Sequence, residues 1–177
     1  EDNWIDDMEL AWIAMYQKGK YLISNPQNPE ARQQFLDSAY GYSLEVQTTP
    51  WLGKDTATHY QWYPFINAGH YELARQMRTD VRDSMVQYYR IGIEKVMKKA
   101  RGNAFYRGVP FIWCSNNLTV SMAIQCYWYR KISGDRRFAD LEQACFDWLF
   151  GVNPWGTSMV YGLPSWGDTP VDPHSAF

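Results

Sequence analysis

Residues Asn116–Phe150 read NNLTVSMAIQCYWYRKISGDRRFADLEQACFDWLF. The first half, to about Ile132, is apolar almost all the way round a helix, with Leu118, Val120, Met122, Ile124, Cys126, Tyr127 and Trp128 spread over its circumference. Such a helix is stable only when enclosed on most sides. Ser133-Gly134-Asp135 then supplies a helix stop and a fresh N-cap. The second half is amphipathic, with Phe138, Leu141, Cys145, Trp148 and Leu149 facing one way. The stretch predicts a helical hairpin made of one enclosed and one outer helix.

Working outward, the same design recurs. Ile5, Met8, Trp12 and Met15 line one face of a first helix, and a second follows Asn28-Pro29-Glu30, an N-cap, a first-turn proline and a dipole-favoured acid. The stripe of the second helix is Phe35, Ala39, Tyr42 and Val46. After a loop around Thr48 to Tyr63, a third helix is predicted from about Pro64 to Gln76. A fourth runs from about Thr79 to Ala100, carrying Val81, Met85, Tyr88 and Gly92 on one side. A Gly- and Pro-marked link, Arg101 to Pro110, leads back to the quoted hairpin. Met8 to Tyr21 echoes Ser121 to Phe138 in pattern, and strand-like alternation is scarce. Gly151 to Phe177 is too rich in Gly and Pro for a long helix. Repeated hairpins of this kind specify an all-α fold, either a solenoid or a closed α/α barrel, and the pattern alone leaves both open.

Composition narrows the function. Formal net charge is −2 with both signs interspersed, which lacks the basic surface that nucleic acid requires. No apolar run approaches the ~20 residues needed to span a bilayer. Nine Trp and thirteen Tyr in 177 residues exceed what a core needs. Flat apolar faces with a polar edge suit helix-packing seams or a groove that stacks sugars. Cys114, Cys126 and Cys145 have neither the spacing of a metal knuckle nor that of a redox motif, and buried free thiols are expected. Glu1 and Phe177 read as cut ends rather than natural ones.

The final third carries a resemblance. Trp113-Cys114-Ser115-Asn116-Asn117, the hairpin with Gly134-Asp135, the run Phe150-Gly151-Val152-Asn153-Pro154-Trp155-Gly156-Thr157-Ser158-Met159-Val160-Tyr161-Gly162 and the closing Pro173-His174 occur in that order. Together they resemble glycoside hydrolase family 9, which writes Trp-Gly-Ser, a helical hairpin, Gly-x-Asn-Pro, a Ser-x-Val-x-Gly loop and a Pro-His pair. Upstream, Asp6-Asp7 leading into Leu10 to Tyr16 is similar to the acidic pair that opens a helix in the family. The resemblance covers essentially the whole chain. It implies a partial (α/α)6 barrel, with residues 1–177 a fragment of one catalytic domain, secreted or periplasmic in the intact protein. It also implies hydrolysis of β-1,4-linked glucan with inversion. Inversion needs a carboxylate base and a carboxylic acid roughly 6.5–9.5 Å apart. In the family both lie on segments that this sequence does not contain, so the fragment supplies barrel helices and groove residues and no catalytic residue.

The same resemblance implies the binding residues. His174 matches a histidine that hydrogen-bonds sugar hydroxyls, and a neutral imidazole can both donate and accept there. The family usually continues His-x-Arg, whereas here the run is His174-Ser175-Ala176, which opens the choice of substrate. Trp113, just before a helix, and Trp62 with Tyr60, in the loop run Thr58 to Tyr63, match sugar-stacking positions; Trp155 and Trp166 are candidates for the rim. Asp6 and Asp7 match an acidic pair that ligates a structural calcium in some members, although two acids at a helix start also serve the helix dipole, the reading that the residues themselves favour. No other cofactor is required. His59 and His70 lack further ligands at zinc spacing and are expected to be structural. The expected partner is a β-glucan oligo- or polysaccharide. The rival readings are an exo-acting β-glucosidase or glucosaminidase of the same family, a non-catalytic helical carbohydrate-binding module, and a helical repeat scaffold.

Overall fold

The computed structural model describes residues 4–19, 29–48, 65–77, 79–112, 114–163 and 165. They contain six α-helices: α1 (Trp4–Lys18), α2 (Pro29–Val46), α3 (Ala68–Gln76), α4 (Thr79–Ala100), α5 (Ser115–Ser133) and α6 (Ala139–Leu149). No strand occurs among the described residues. Helix α1 packs on α2, α3 on α4, and α5 on α6, giving successive hairpins. Helix α3 also touches both α1 and α5, so the odd-numbered helices adjoin in order as an inner row. The core lies between this row and the even-numbered helices, built from Ile13, Leu73, Met85, Tyr89, Ile93, Val96, Leu118, Met122 and Leu141.

Helix α5 is enclosed as its composition requires, with Leu118, Thr119, Ser121, Met122, Ala123, Gln125, Cys126, Tyr129 and Ile132 all buried. It ends at Gly134, whose φ of 75° is open to glycine without a Cβ penalty, and the Gly134 N–H donates to the Arg130 carbonyl. Arg82 of α4 donates through Nε, 2.8 Å, and Nη2 to the Ile132 carbonyl, satisfying another C-terminal acceptor. Arg130 and Glu142 clasp α5 to α6 with two bonds, 2.8 and 3.2 Å. Cys114, Cys126 and Cys145 are free thiols; Cys126 and Cys145 are buried.

Four expectations from the sequence need correction. The innermost line of α1 is Asp6, Glu9 and Ile13, not Ile5, Met8, Trp12 and Met15, which are only partly buried. Two acids face inward there, and an apolar count cannot find them. In α2 the buried line is Leu36, Ala39 and Ser43, while Phe35 packs at the rim against Trp12, with ring centroids 5.8 Å apart. Helix α3 begins at Ala68, later than Pro64, because Asn67 adopts a left-handed conformation (φ 63°) at its N-cap. In α4 the residue turned fully inward is Tyr89, and Tyr88 is partly buried.

Candidate glycan-binding site

Two links carry the backbone strain. Every non-glycine residue with positive φ among the described residues lies in the passage from α2 to α3 (Gln47, Asn67) or from α4 to α5 (Tyr106, Cys114). Such conformations cost on the order of 1–3 kcal/mol each and collect where a site needs a fixed shape. Both links enter the N-terminus of an inner helix. The N-terminal turn of α1 meets the start of α3, Asp6 against Asn67, so these two inner helices run side by side in one direction.

A buried chain of polar groups holds that end. The Asn67 backbone N–H donates to Asp6 Oδ2 at 3.3 Å, and Asn67 Nδ2 donates to Gln125 Oε1 at 3.0 Å. Gln125 Nε2 in turn donates to Ser121 Oγ at 3.2 Å, and the Tyr89 hydroxyl donates to the Asn67 carbonyl. Glu9 straddles His70 Nδ1 at 2.9 and 2.8 Å. His70 Nε2 donates to the Gln47 carbonyl at 2.7 Å, pinning the start of the first link. With a carboxylate on one nitrogen and a carbonyl on the other, both ring nitrogens are placed to donate. Burial by itself lowers the His70 pKa; the charge and hydrogen bond of Glu9, with the Gln47 carbonyl, outweigh it and raise the net value above the ordinary range. Asp6 is pushed up to about 6, chiefly by burial, against the lowering effect of the Asn67 N–H.

The α4–α5 link also carries one half of an exposed aromatic stack. Phe111, from the α4–α5 link, and Trp155, from the segment after α6, are nearly parallel at 22° with centroids 5.9 Å apart. They are 69% and 55% exposed, an unusual state for two large apolar rings. Trp148 meets Trp155 edge-on at 5.9 Å, and the Arg107 guanidinium sits 5.2 Å from the Phe111 ring and 4.5 Å from that of Trp148. Asn153 fixes the Trp155 loop. Its Nδ2 donates to the carbonyls of Trp148 (2.9 Å) and Thr157 (2.7 Å), and its Oδ1 accepts from the N–H groups of Trp155 (3.1 Å) and Thr157 (3.3 Å). A flat, braced apolar face of this kind suits the axial C–H face of a pyranose ring.

The family model described as Glycosyl hydrolase family 9 matches residues 1–177. The chain belongs to glycosyl hydrolase family 9. Among curated proteins and among solved structures, none matches it.

As a family 9 chain it is of glycoside hydrolase type, and its three helical hairpins match a partial (α/α)6 barrel. No helix among the described residues is long and apolar enough to cross a membrane. His174, Trp113, Trp62 and Tyr60 lie outside the described residues, as do Trp166 and His59. In chain order, Trp62 and Tyr60 fall within the α2–α3 link and Trp113 directly precedes Cys114. Asp6 and Asp7 occupy the first turn of α1, where a helix dipole favours acids. Asp6 is buried and Asp7 exposed. Calcium takes six to eight oxygens, and among the described residues no group of three or more His, Cys, Asp or Glu is placed to hold a metal.

Phe111, Arg107 and Glu9 stand out only in the structure. Phe111 lies just past the Gly- and Pro-marked link and had no pattern to single it out; Glu9 had none either, because its polarity places it on the outside of any hydrophobic count.

Proposed function

We propose that the intact enzyme cleaves β-1,4 bonds in glucan with inversion, and that residues 1–177 are one part of a single catalytic domain forming a wall and rim of the substrate groove. The observation that carries this reading is the exposed Phe111–Trp155 stack, one ring of it on the strained α4–α5 link of a family 9 chain. His174, Trp113, Trp62 and Tyr60 complete the sugar-binding set. The base and acid carboxylates belong to other segments of the domain. Consistent with that, the two inward acids of α1 are engaged structurally, Asp6 with Asn67 and Glu9 with His70. Asp6 and Asp7 are the proposed protein ligands should the intact domain hold calcium, and the enzyme is proposed to act outside the cytoplasm, where its polymer is.

The test is hydrolysis of cello-oligosaccharides followed by NMR of the newly formed anomer. The protein encoded with its flanking sequence releases the α-anomer first, and the 177-residue chain alone hydrolyses nothing above an inactivated control. Failure of the longer protein to cut any β-1,4-glucan sinks the substrate assignment, and activity of the short chain sinks the placement of the carboxylates. His174-Ser175-Ala176, which lacks the arginine usual in the family, supports one second reading, an exo-acting enzyme. Steady release of monomer with little loss of viscosity identifies it.

A further inference from the structure

His70, in the first turn of α3 and fully buried, is held between two acceptors on two other segments. Its Nδ1 faces both carboxylate oxygens of Glu9 on α1, and its Nε2 faces the carbonyl of Gln47, the residue that follows α2. The charged groups turned toward the ring are Glu9 and Asp6, both of α1. Helix α4 packs the rings of Tyr88 and Tyr89 beside it, with centroids 5.5 and 5.9 Å away, and burial raises both hydroxyls above their ordinary value, so they stay neutral. Tyr40 of α2 and Tyr71 and Glu72 of α3 act on those tyrosines. The two acceptors differ in their alternatives. Glu9 is fully buried, and His70 is its one hydrogen-bond donor among the described residues. Gln47 is exposed and left-handed, with φ 48°, a conformation that costs on the order of 1–3 kcal/mol.

We propose that His70 is a positioning residue, fastening the start of the α2–α3 link to α3 only while both of its ring nitrogens carry protons. A neutral imidazole has one N–H and cannot serve two acceptors. The bond to a carboxylate is the stronger of the two, and a buried carboxylate stripped of its donor costs more than a carbonyl that can turn to water. The proton that leaves for solvent is therefore the one on Nε2. Its lone pair then faces the Gln47 carbonyl oxygen, the contact becomes repulsive, and Gln47 is free to relax its left-handed conformation. Burial works against the charged ring, but the charge and hydrogen bond of Glu9 and the Gln47 carbonyl outweigh it, so the fastening persists to higher pH than an ordinary histidine would allow. Thr48, whose hydroxyl donates to the Tyr88 carbonyl at 3.2 Å, is a second tie that does not titrate, so release is local and α2 stays in place. In chain order the link carries Tyr60 and Trp62. The consequence for sugar binding rests on the function proposed above; the fastening itself does not.

Hydrogen exchange of the whole chain is followed from pH 6 to 9, corrected for intrinsic rates, while nitrogen NMR reports the protons on the His70 ring. The expected result is a drop of about tenfold in protection of the amides from Leu44 to Thr48, the loss of one hydrogen bond. It falls at the pH where Nε2 loses its proton, with α1 and α4 unchanged there, and His70→Gln shows no such step. Protection that stays flat through the His70 titration, a proton lost from Nδ1 instead, or a step retained in His70→Gln overturns the proposal. The NMR and exchange arms on the unaltered protein decide it even where His70→Gln fails to fold. Affinity for cello-oligosaccharides, measured by calorimetry over the same range, is expected to weaken across the same step. Absence of sugar binding at every pH counts against the substrate assignment and leaves the exchange result standing.

Discussion

Glu9 and His70 form a pair with no solvent-exposed side-chain surface, the two carboxylate oxygens 2.9 and 2.8 Å from Nδ1. The pair ties α1 to α3 and, through Gln47, α3 to the end of α2. Removing one partner of a buried pair costs about 3–5 kcal/mol, since the other charge is left uncompensated. Glu9→Gln is therefore expected to lower the urea midpoint sharply. The double variant Glu9→Gln/His70→Gln loses less than the sum of the singles, and additive losses in the cycle would show that the two do not interact.

Stability should fall as pH rises through the mildly acidic range. The Asp6 carboxyl, about 6 when folded against an ordinary value of 3.8, binds a proton more tightly in the native state. Its contribution is fully present below about pH 4 and is lost as pH climbs through 6. His70, also raised, contributes below its unfolded value and loses that contribution as pH rises through its higher folded one. Asp6→Asn removes the first slope and leaves the second. Denaturant midpoints between pH 4 and 8 check this, and an unchanged profile in Asp6→Asn refutes the assignment.

Two glycines are predicted to respond in opposite directions. A Cβ at Gly108 would lie 2.2 Å from the Val96 carbonyl oxygen, so the link cannot keep its seat on α4. Gly108→Ala is expected to cost about 3 kcal/mol or more, an overpacking penalty at the upper end. Gly41, within α2, has nothing within 4 Å of its would-be Cβ. Gly41→Ala should stabilise by about 0.5–1 kcal/mol through helix propensity. Thermal melts of the two variants decide the matter.

Trp155→Ala and Phe111→Ala should each weaken cello-oligosaccharide binding by about tenfold, the loss of roughly 1.4 kcal/mol of stacking. Their melting points should move little, because both rings are more exposed than buried. Asn153→Ala should instead destabilise by about 2 kcal/mol, as its buried hydrogen bonds at Trp148, Trp155 and Thr157 are lost. Calorimetric titration paired with thermal melts separates the two behaviours.

The α5–α6 hairpin was legible because its signals are local: apolar spacing, then Gly134 at the stop. The inward face of α1 was not. Asp6 and Glu9 are interior only because Asn67 and His70, some sixty residues on, arrive to meet them. The α3 start was missed for a related reason. Asn67 takes its left-handed conformation while its side chain bonds Gln125 and its carbonyl accepts from Tyr89, contacts that no local pattern encodes. For the site, the sequence offered Trp155 only as one of two rim candidates, beside Trp166. Phe111 beside it becomes visible only once α4 and α6 bring the two segments together.

A seam of directional bonds behaves unlike one of interchangeable methyl groups. Turning α1 by a single position would bring Asp7 and Leu10 to where Asp6 and Glu9 now stand, and several partners would be stranded at once. The inner helices are consequently denied both roll and slip. Their angular bearing stays constant while the surface segments around Phe111 and Trp155 are rewritten, so a change of preferred sugar can be tried without re-solving the architecture underneath.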